Sequence, residues 1–177
     1  MENLSAKDVV LILLDRCPDD DLQLRGITRI QKLAYLLTLS PEFKDLTRNL
    51  EYRPLHYGPF SKAISDSVEI LQDTGFIEGK PMSFELQVRN RADELAMEEM
   101  SDTKEFIETL NFRLTKIGKF IADFRFNQLT PSQQAEIERI AKQFGGLSLK
   151  ELIRRVYVLA PEDLLRRSKI KDEMVCH

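Results

Sequence analysis

Residues 55–78 read LHYGPFSKAISDSVEILQDTGFIE, and the order of elements in this stretch decides the fold. Leu55 to Ser61 reads as a turn into a helix, because Gly58 accepts backbone angles closed to other residues and Pro59 suits the first helical position. Phe60, Ile64, Val68 and Leu71 then recur at helical spacing and form one apolar stripe. Gly75 is the expected stop, and Phe76-Ile77-Glu78 begins a strand. Ser83–Val88 is the expected return strand, joined through Gly79-Lys80-Pro81.

Upstream, Ser5 and Asp8 form a capping box for a first helix. Its residues Val9, Val10, Ile12, Leu13 and Leu14 are apolar on most sides, which places it centrally in the core. It ends near Cys17, because Pro18 disfavours helical geometry in the residue before it. A second helix is expected over 27–39, with Ile30, Leu33, Ala34 and Leu37 on one face and Arg29, Gln31 and Lys32 on others. Leu50-Glu51-Tyr52-Arg53 alternates like a strand, closed by Pro54. Two helices, a turn, a third helix and then a hairpin is the order of a winged helix.

Downstream the character changes. Between Arg91 and Glu108 two basic residues face seven acidic ones, so this stretch reads as either a helical excursion or a mobile wing tip. Phe112-Arg113-Leu114 reads as a short strand that completes the sheet, ahead of a helix with Ile117, Phe120, Ile121 and Phe124 on one face. Thr130-Pro131 opens another helix, Gly145-Gly146 stops it, and Ser148 with Glu151 is a second capping box. The expected fold class is α+β, mostly helical. A winged-helix-like core with a small antiparallel sheet occupies 1–90, and an acidic excursion or wing extension fills 91–111. C-terminal helices pack on that core over 112–168, and 169–177 is a tail.

Composition narrows the function classes. With 42% hydrophobic and 31% charged residues, 177 residues suffice to bury a core. The longest apolar run, Val9–Leu14, is too short to cross a bilayer or to form a signal-peptide core, so a cytoplasmic chain without membrane contact is expected. Cys17 and Cys176 are too few for a zinc site and suit a reducing compartment. His56 and His177 are the only histidines, so histidine chemistry would have to use His56, which lies at a turn where a structural or binding role fits better. The glycines form no phosphate-cradling loop, and Asp19-Asp20-Asp21 reads as a hydrated loop. No cofactor, no metal and no catalytic set is expected.

Charge is distributed unevenly although the net charge is only −3. Residues 25–62 carry Arg25, Arg29, Lys32, Lys44, Arg48, Arg53 and Lys62 against Glu42, Asp45 and Glu51. Residues 150–171 carry Lys150, Arg154, Arg155, Arg166, Arg167, Lys169 and Lys171 against Glu151, Glu162 and Asp163. These regions either meet phosphates or an acidic partner, or they pair with the acidic 91–108 stretch and with each other. The third helix argues against simple groove reading, since it sets Asp66, Glu69 and Asp73 against Lys62. Tyr35, Tyr52, Tyr57 and Phe60 near the turn fit core packing or an aromatic binding surface.

The joint order of Thr28-Arg29-Ile30-Gln31-Lys32-Leu33-Ala34-Tyr35-Leu36-Leu37, Tyr57-Gly58-Pro59-Phe60-Ser61 and the segment Leu71 to Ile77 resembles the uncharacterised YwgA-like family of bacteria and archaea. More loosely it is similar to the Panacea domain of SocA-like antitoxins. Phe144-Gly145-Gly146-Leu147-Ser148, Glu151-Leu152-Ile153 and Val156-Tyr157 look like the C-terminal helices of the same family. The resemblance implies a winged-helix-like fold, no catalytic residues and, from the antitoxins, a protein toxin as partner. The acidic 91–108 stretch departs from it. The leading expectation is therefore a non-catalytic regulator that binds DNA, with a homodimer as one form, through Arg25, Arg29, Lys32, Arg53, His56, Tyr57 and Lys62. The alternative is an antitoxin-like or adaptor protein that grips a protein partner.

Overall fold

The computed structural model describes residues 4–17, 26–55, 57–81 and 110–168. Arg25, His56, the Asp19–Asp21 run, the Ser83–Val88 strand, the acidic 91–108 stretch and the 169–177 tail lie outside the described residues, as does the side chain of Arg48. The fold is α+β and mostly helical.

Helix α1 (Ala6–Arg16) starts at the predicted capping box, where Asp8 N donates to Ser5 Oγ at 3.2 Å and Ser5 N donates to Asp8 Oδ2 at 2.9 Å. Val9 to Leu14 are all buried, so α1 is the central rod. It packs against α2 (Ile27–Thr38), α4 (Lys62–Asp73), α5 (Lys116–Asn127), α6 (Pro131–Phe144) and strand β4 (Leu110–Leu114). A 3-10 turn over Pro41–Phe43 leads into α3 (Lys44–Leu50), and α7 (Leu149–Leu159) and α8 (Glu162–Leu165) close the described chain. The apolar cores of the N-terminal and C-terminal helices merge into one cluster that includes Ile12, Leu37, Ile64, Ile140 and Leu152.

Among the described residues, the strands form two two-stranded antiparallel ribbons. β1 (Arg53–Leu55) pairs with β2 (Gly58–Phe60) in the register Arg53↔Phe60, Pro54↔Pro59 and Leu55↔Gly58. The sequence expectation is corrected here on two points. Leu50 ends a helix instead of starting a strand, since Glu51 turns the chain through the left-handed region at φ 42°, and β1 then runs through Pro54. A two-stranded ribbon consists of edges, where a proline lacking its N–H is tolerated. Pro59 is a strand residue rather than the first residue of a helix. α4 starts only after Ser61, whose Oγ accepts from Ile64 N.

β3 (Ile77–Pro81) pairs with β4 from Ile77↔Leu114 to Pro81↔Leu110. Among the described residues, the partner of β3 is thus the strand beyond the acidic stretch, which starts two residues earlier than Phe112–Leu114. Gly75 ends α4 at φ +74°, as its position predicts. The predicted caps of α6 and α7 are both present as capping boxes, Thr130 with Gln133 and Ser148 with Glu151.

α5 reverses the ordinary rule of large residues inside. Of the four residues expected on its inner face, only Ile121 packs against the core; Ile117, Phe120 and Phe124 face solvent, while Gly118, Ala122 and Phe126 are buried. At Gly118 only a residue without a Cβ fits, because the backbone approaches closely: a Cβ there would lie 1.9 Å from the Phe76 carbonyl oxygen. Ion pairs then clamp α5 to α1. Arg125 reaches Asp8 at 2.9 Å, Lys119 reaches Asp15 at 2.7 Å, and Arg16 reaches Asp123 at 2.6 Å while lying 4.0 Å from the centre of the Phe126 ring. Burial pushes the Asp8 carboxyl up, but hydrogen bonds from Arg125 and Ser5 outweigh it and hold the group below its ordinary value.

Candidate functional site

The predicted binding residues divide between the interior and the surface. Arg29 is only 4% exposed; its Nη1 donates to Gly145 O at 3.2 Å and its Nη2 to Leu147 O at 2.7 Å. Lys32 is 3% exposed and donates from Nζ to Pro59 O at 2.9 Å. Neither side chain reaches solvent as part of a basic face, which corrects the expectation for both. A buried cation needs acceptors around it, and backbone carbonyls at a helix–helix turn and in a ribbon supply them.

Gln31, which the sequence reading left out of the binding set, completes this internal clamp. Its Nε2 donates to Ser61 O at 2.8 Å, and its Oε1 accepts from Ser61 N at 2.9 Å. The Ser61 hydroxyl in turn donates to Leu50 O. Tyr52 packs edge-on against Tyr35 with ring centroids 5.0 Å apart, and its hydroxyl donates to Gln31 O at 3.4 Å. Burial pushes the Tyr52 phenol well above its usual range. Burial, reinforced by the Asp163 carboxylate, raises Tyr35 to about 12. On the other side of the ribbon, Tyr157 takes the space that a side chain on Gly58 would fill, its ring carbon lying 2.9 Å from that Cβ position. The Tyr157 hydroxyl hydrogen-bonds Ser168 Oγ, and burial raises its phenol to about 12.

At the surface, the structure leaves Arg53, Tyr57 and Lys62 from the predicted set. Arg53 is exposed on β1 with its guanidinium 3.8 Å from Glu51. Tyr57 is half-buried and packs with Ile153, Tyr157 and Leu165. Lys62 is held by both carboxylate oxygens of Asp66, at 2.7 and 2.6 Å. Of the predicted residues, Lys32 supports the β1–β2 ribbon from inside and Arg53 and Tyr57 belong to it, whereas Arg29 holds the turn between α6 and α7 and Lys62 opens α4.

Two surfaces outside that set stand out. The solvent side of α4 presents Glu69, Ile70 and Asp73, all exposed, beside the Lys62–Asp66 pair. Separately, α8 packs on β1 and β2, and α7 packs on β2, which brings the exposed Arg154, Arg155, Arg166 and Arg167 onto elements adjoining Arg53. The signal for this second surface was the basic excess over 150–171. Among the described residues, no cluster of three or more His, Cys, Asp or Glu side chains could hold a metal ion, and no helix is long and apolar enough to cross a membrane. Comparison with protein-family models, with curated proteins and with solved structures returns no match.

Proposed function

We propose that this chain is a non-catalytic cytoplasmic module, antitoxin-like or an adaptor, that holds a protein partner against the solvent side of α4. The observation that carries this reading is the chemistry of that side. Glu69 and Asp73 stand one turn apart beside an exposed Ile70, and Lys62, the basic residue of α4, is already neutralised by Asp66. In a winged helix this element would enter a DNA groove, where two carboxylates without a compensating cation repel phosphates. The same combination of an exposed isoleucine and adjacent carboxylates suits a protein surface that presents basic side chains.

The resemblance to the YwgA-like family and the SocA-like antitoxins supports the scaffold more than the contact set. Arg29, Gln31, Lys32, Gly58 and Ser61, which belong to the motifs of that resemblance, are the residues of the internal clamp.

Co-purification tests the proposal. A single stoichiometric protein should accompany the wild-type chain and be lost, with affinity reduced at least tenfold, in the double variant Glu69→Lys/Asp73→Lys whose circular dichroism is unchanged. A partner retained equally by the variant would overturn it. A second reading, DNA binding, is favoured by the exposed cations on β1, α7 and α8. Retardation of DNA by the wild-type chain that weakens steeply with salt and fails in Arg154→Ala/Arg166→Ala would select that reading instead.

A further inference from the structure

We propose that the outward face of α5 is a self-association surface, through which two copies of this chain pair across a twofold axis with their α5 helices antiparallel. The face is independent of α4. Ile117, Phe120 and Phe124 are 63%, 69% and 53% exposed, and their i, i+3, i+7 spacing aligns them in one stripe. Scattered apolar residues on a surface need no explanation, but two phenylalanines and an isoleucine in register on one helix form a contiguous patch.

Three observations select a second copy as the occupant. The first is area. With about 200 Å² for each large side chain, the exposed fractions amount to roughly 370 Å² per copy. Two copies would cover roughly 740 Å² of apolar surface, and at the roughly 65% apolar share of homodimer interfaces the total is about 1,100 Å². That clears the roughly 1,000 Å² that a specific interface needs and falls just under the roughly 1,200 Å² where stable complexes begin, the size of a weak, reversible dimer.

The second observation is charge. Lys119 and Asp123 on one flank are tied back to Asp15 and Arg16, and Arg125 on the other is tied to Asp8. Covering the stripe therefore strands no uncompensated charge. Lys116 stays at the rim, where an antiparallel mate places the negative end of its helix dipole.

The third is symmetry. An isologous contact requires a pattern that matches itself when reversed. Ile117 and Phe124 lie equally far along the helix from a midpoint beside Phe120, so reversal sets each against the other around a central aromatic pair.

Sedimentation velocity of the full chain from about 1 to 200 µM tests the proposal, with Phe120→Glu as the variant. Since Phe120 is solvent-exposed, the variant should fold with unchanged circular dichroism and melting temperature. The wild type should pass from monomer to dimer with a dissociation constant on the order of micromolar, as for other interfaces of this size. Phe120→Glu should raise that constant at least 100-fold. A wild type that stays monomeric at 200 µM overturns the proposal, and it does so whether the stripe then proves to hold a different protein or to be covered by the chain itself. A dimer that forms equally well in Phe120→Glu also overturns it. Neither result bears on the α4 reading, which the Glu69→Lys/Asp73→Lys variant tests alone.

Discussion

Replacing Gly118 with alanine would place a methyl carbon 1.9 Å from the Phe76 carbonyl oxygen and 2.9 Å from its carbonyl carbon. Carbon and carbonyl oxygen rest at about 3.3 Å even in close contact, so the backbone of Phe76 or of α5 must retreat by roughly 1.4 Å. That carbonyl is not free to move. It accepts from Thr115 N at 3.0 Å, and the Thr115 hydroxyl, which donates to Gly75 O at 2.8 Å and lies 3.1 Å from Phe76 O, caps α5 by accepting from Gly118 N. Losing two such hydrogen bonds costs about 2 kcal/mol, and overpacking a tight backbone contact adds about 2 kcal/mol. The better helix propensity of alanine returns about 1 kcal/mol. The net expectation is a loss of about 3 kcal/mol, which for a chain of this size is a fall of roughly 6–12 °C in melting temperature. Urea unfolding followed by far-ultraviolet circular dichroism reads it directly. Gly75→Ala is the control, since Gly75 has a positive φ but no atom within 4 Å of its Cβ position, so only a backbone cost of about 1 kcal/mol applies. If Gly118→Ala is as stable as the wild type, or loses no more than Gly75→Ala, the close-approach argument for α5 is wrong.

Arg29→Ala removes two charge-assisted bonds to buried carbonyls and should lower stability by about 3 kcal/mol in the same urea assay, whereas Arg53→Ala, on an exposed side chain, should stay within about 0.5 kcal/mol. Equal effects would mean that Arg29 is not an internal clamp. The tyrosines give a pH prediction. Tyr35 and Tyr157 are raised to about 12 when folded, against about 10 unfolded, so their contribution is fully present below pH 10 and is lost as pH rises towards 12. Stability to urea should fall across that window, and at pH 11 both phenols should remain un-ionised by absorbance at 295 nm in native protein. Full phenolate absorbance at pH 11 with native circular dichroism would refute it.

Much of the fold was legible because it is locally encoded. The Ser5–Asp8 box, the Gly75 stop and the caps at Thr130 and Ser148 act within one helical turn, and each stands where the sequence puts it. What escaped depends on distant partners. Arg29 and Lys32 sit off the apolar stripe of α2 and read as solvated cations, because the carbonyls that accept from them belong to Gly145, Leu147 and Pro59. The outward aim of α5 escaped because hydrophobic spacing ranks phenylalanine above glycine, whereas the contact with the Phe76 backbone requires glycine at 118. For the candidate site, the sequence located the ribbon but not which of its neighbours face water.

The reach of Arg29 bears on how the chain is assembled during synthesis. Its two acceptors lie 116 and 118 residues downstream, on the turn between α6 and α7. Until that turn has left the ribosome, the Arg29 guanidinium on α2 lacks these two carbonyls. Closure of the core around this side chain therefore waits for the segment that follows α6, and the C-terminal helices arrive as the missing wall.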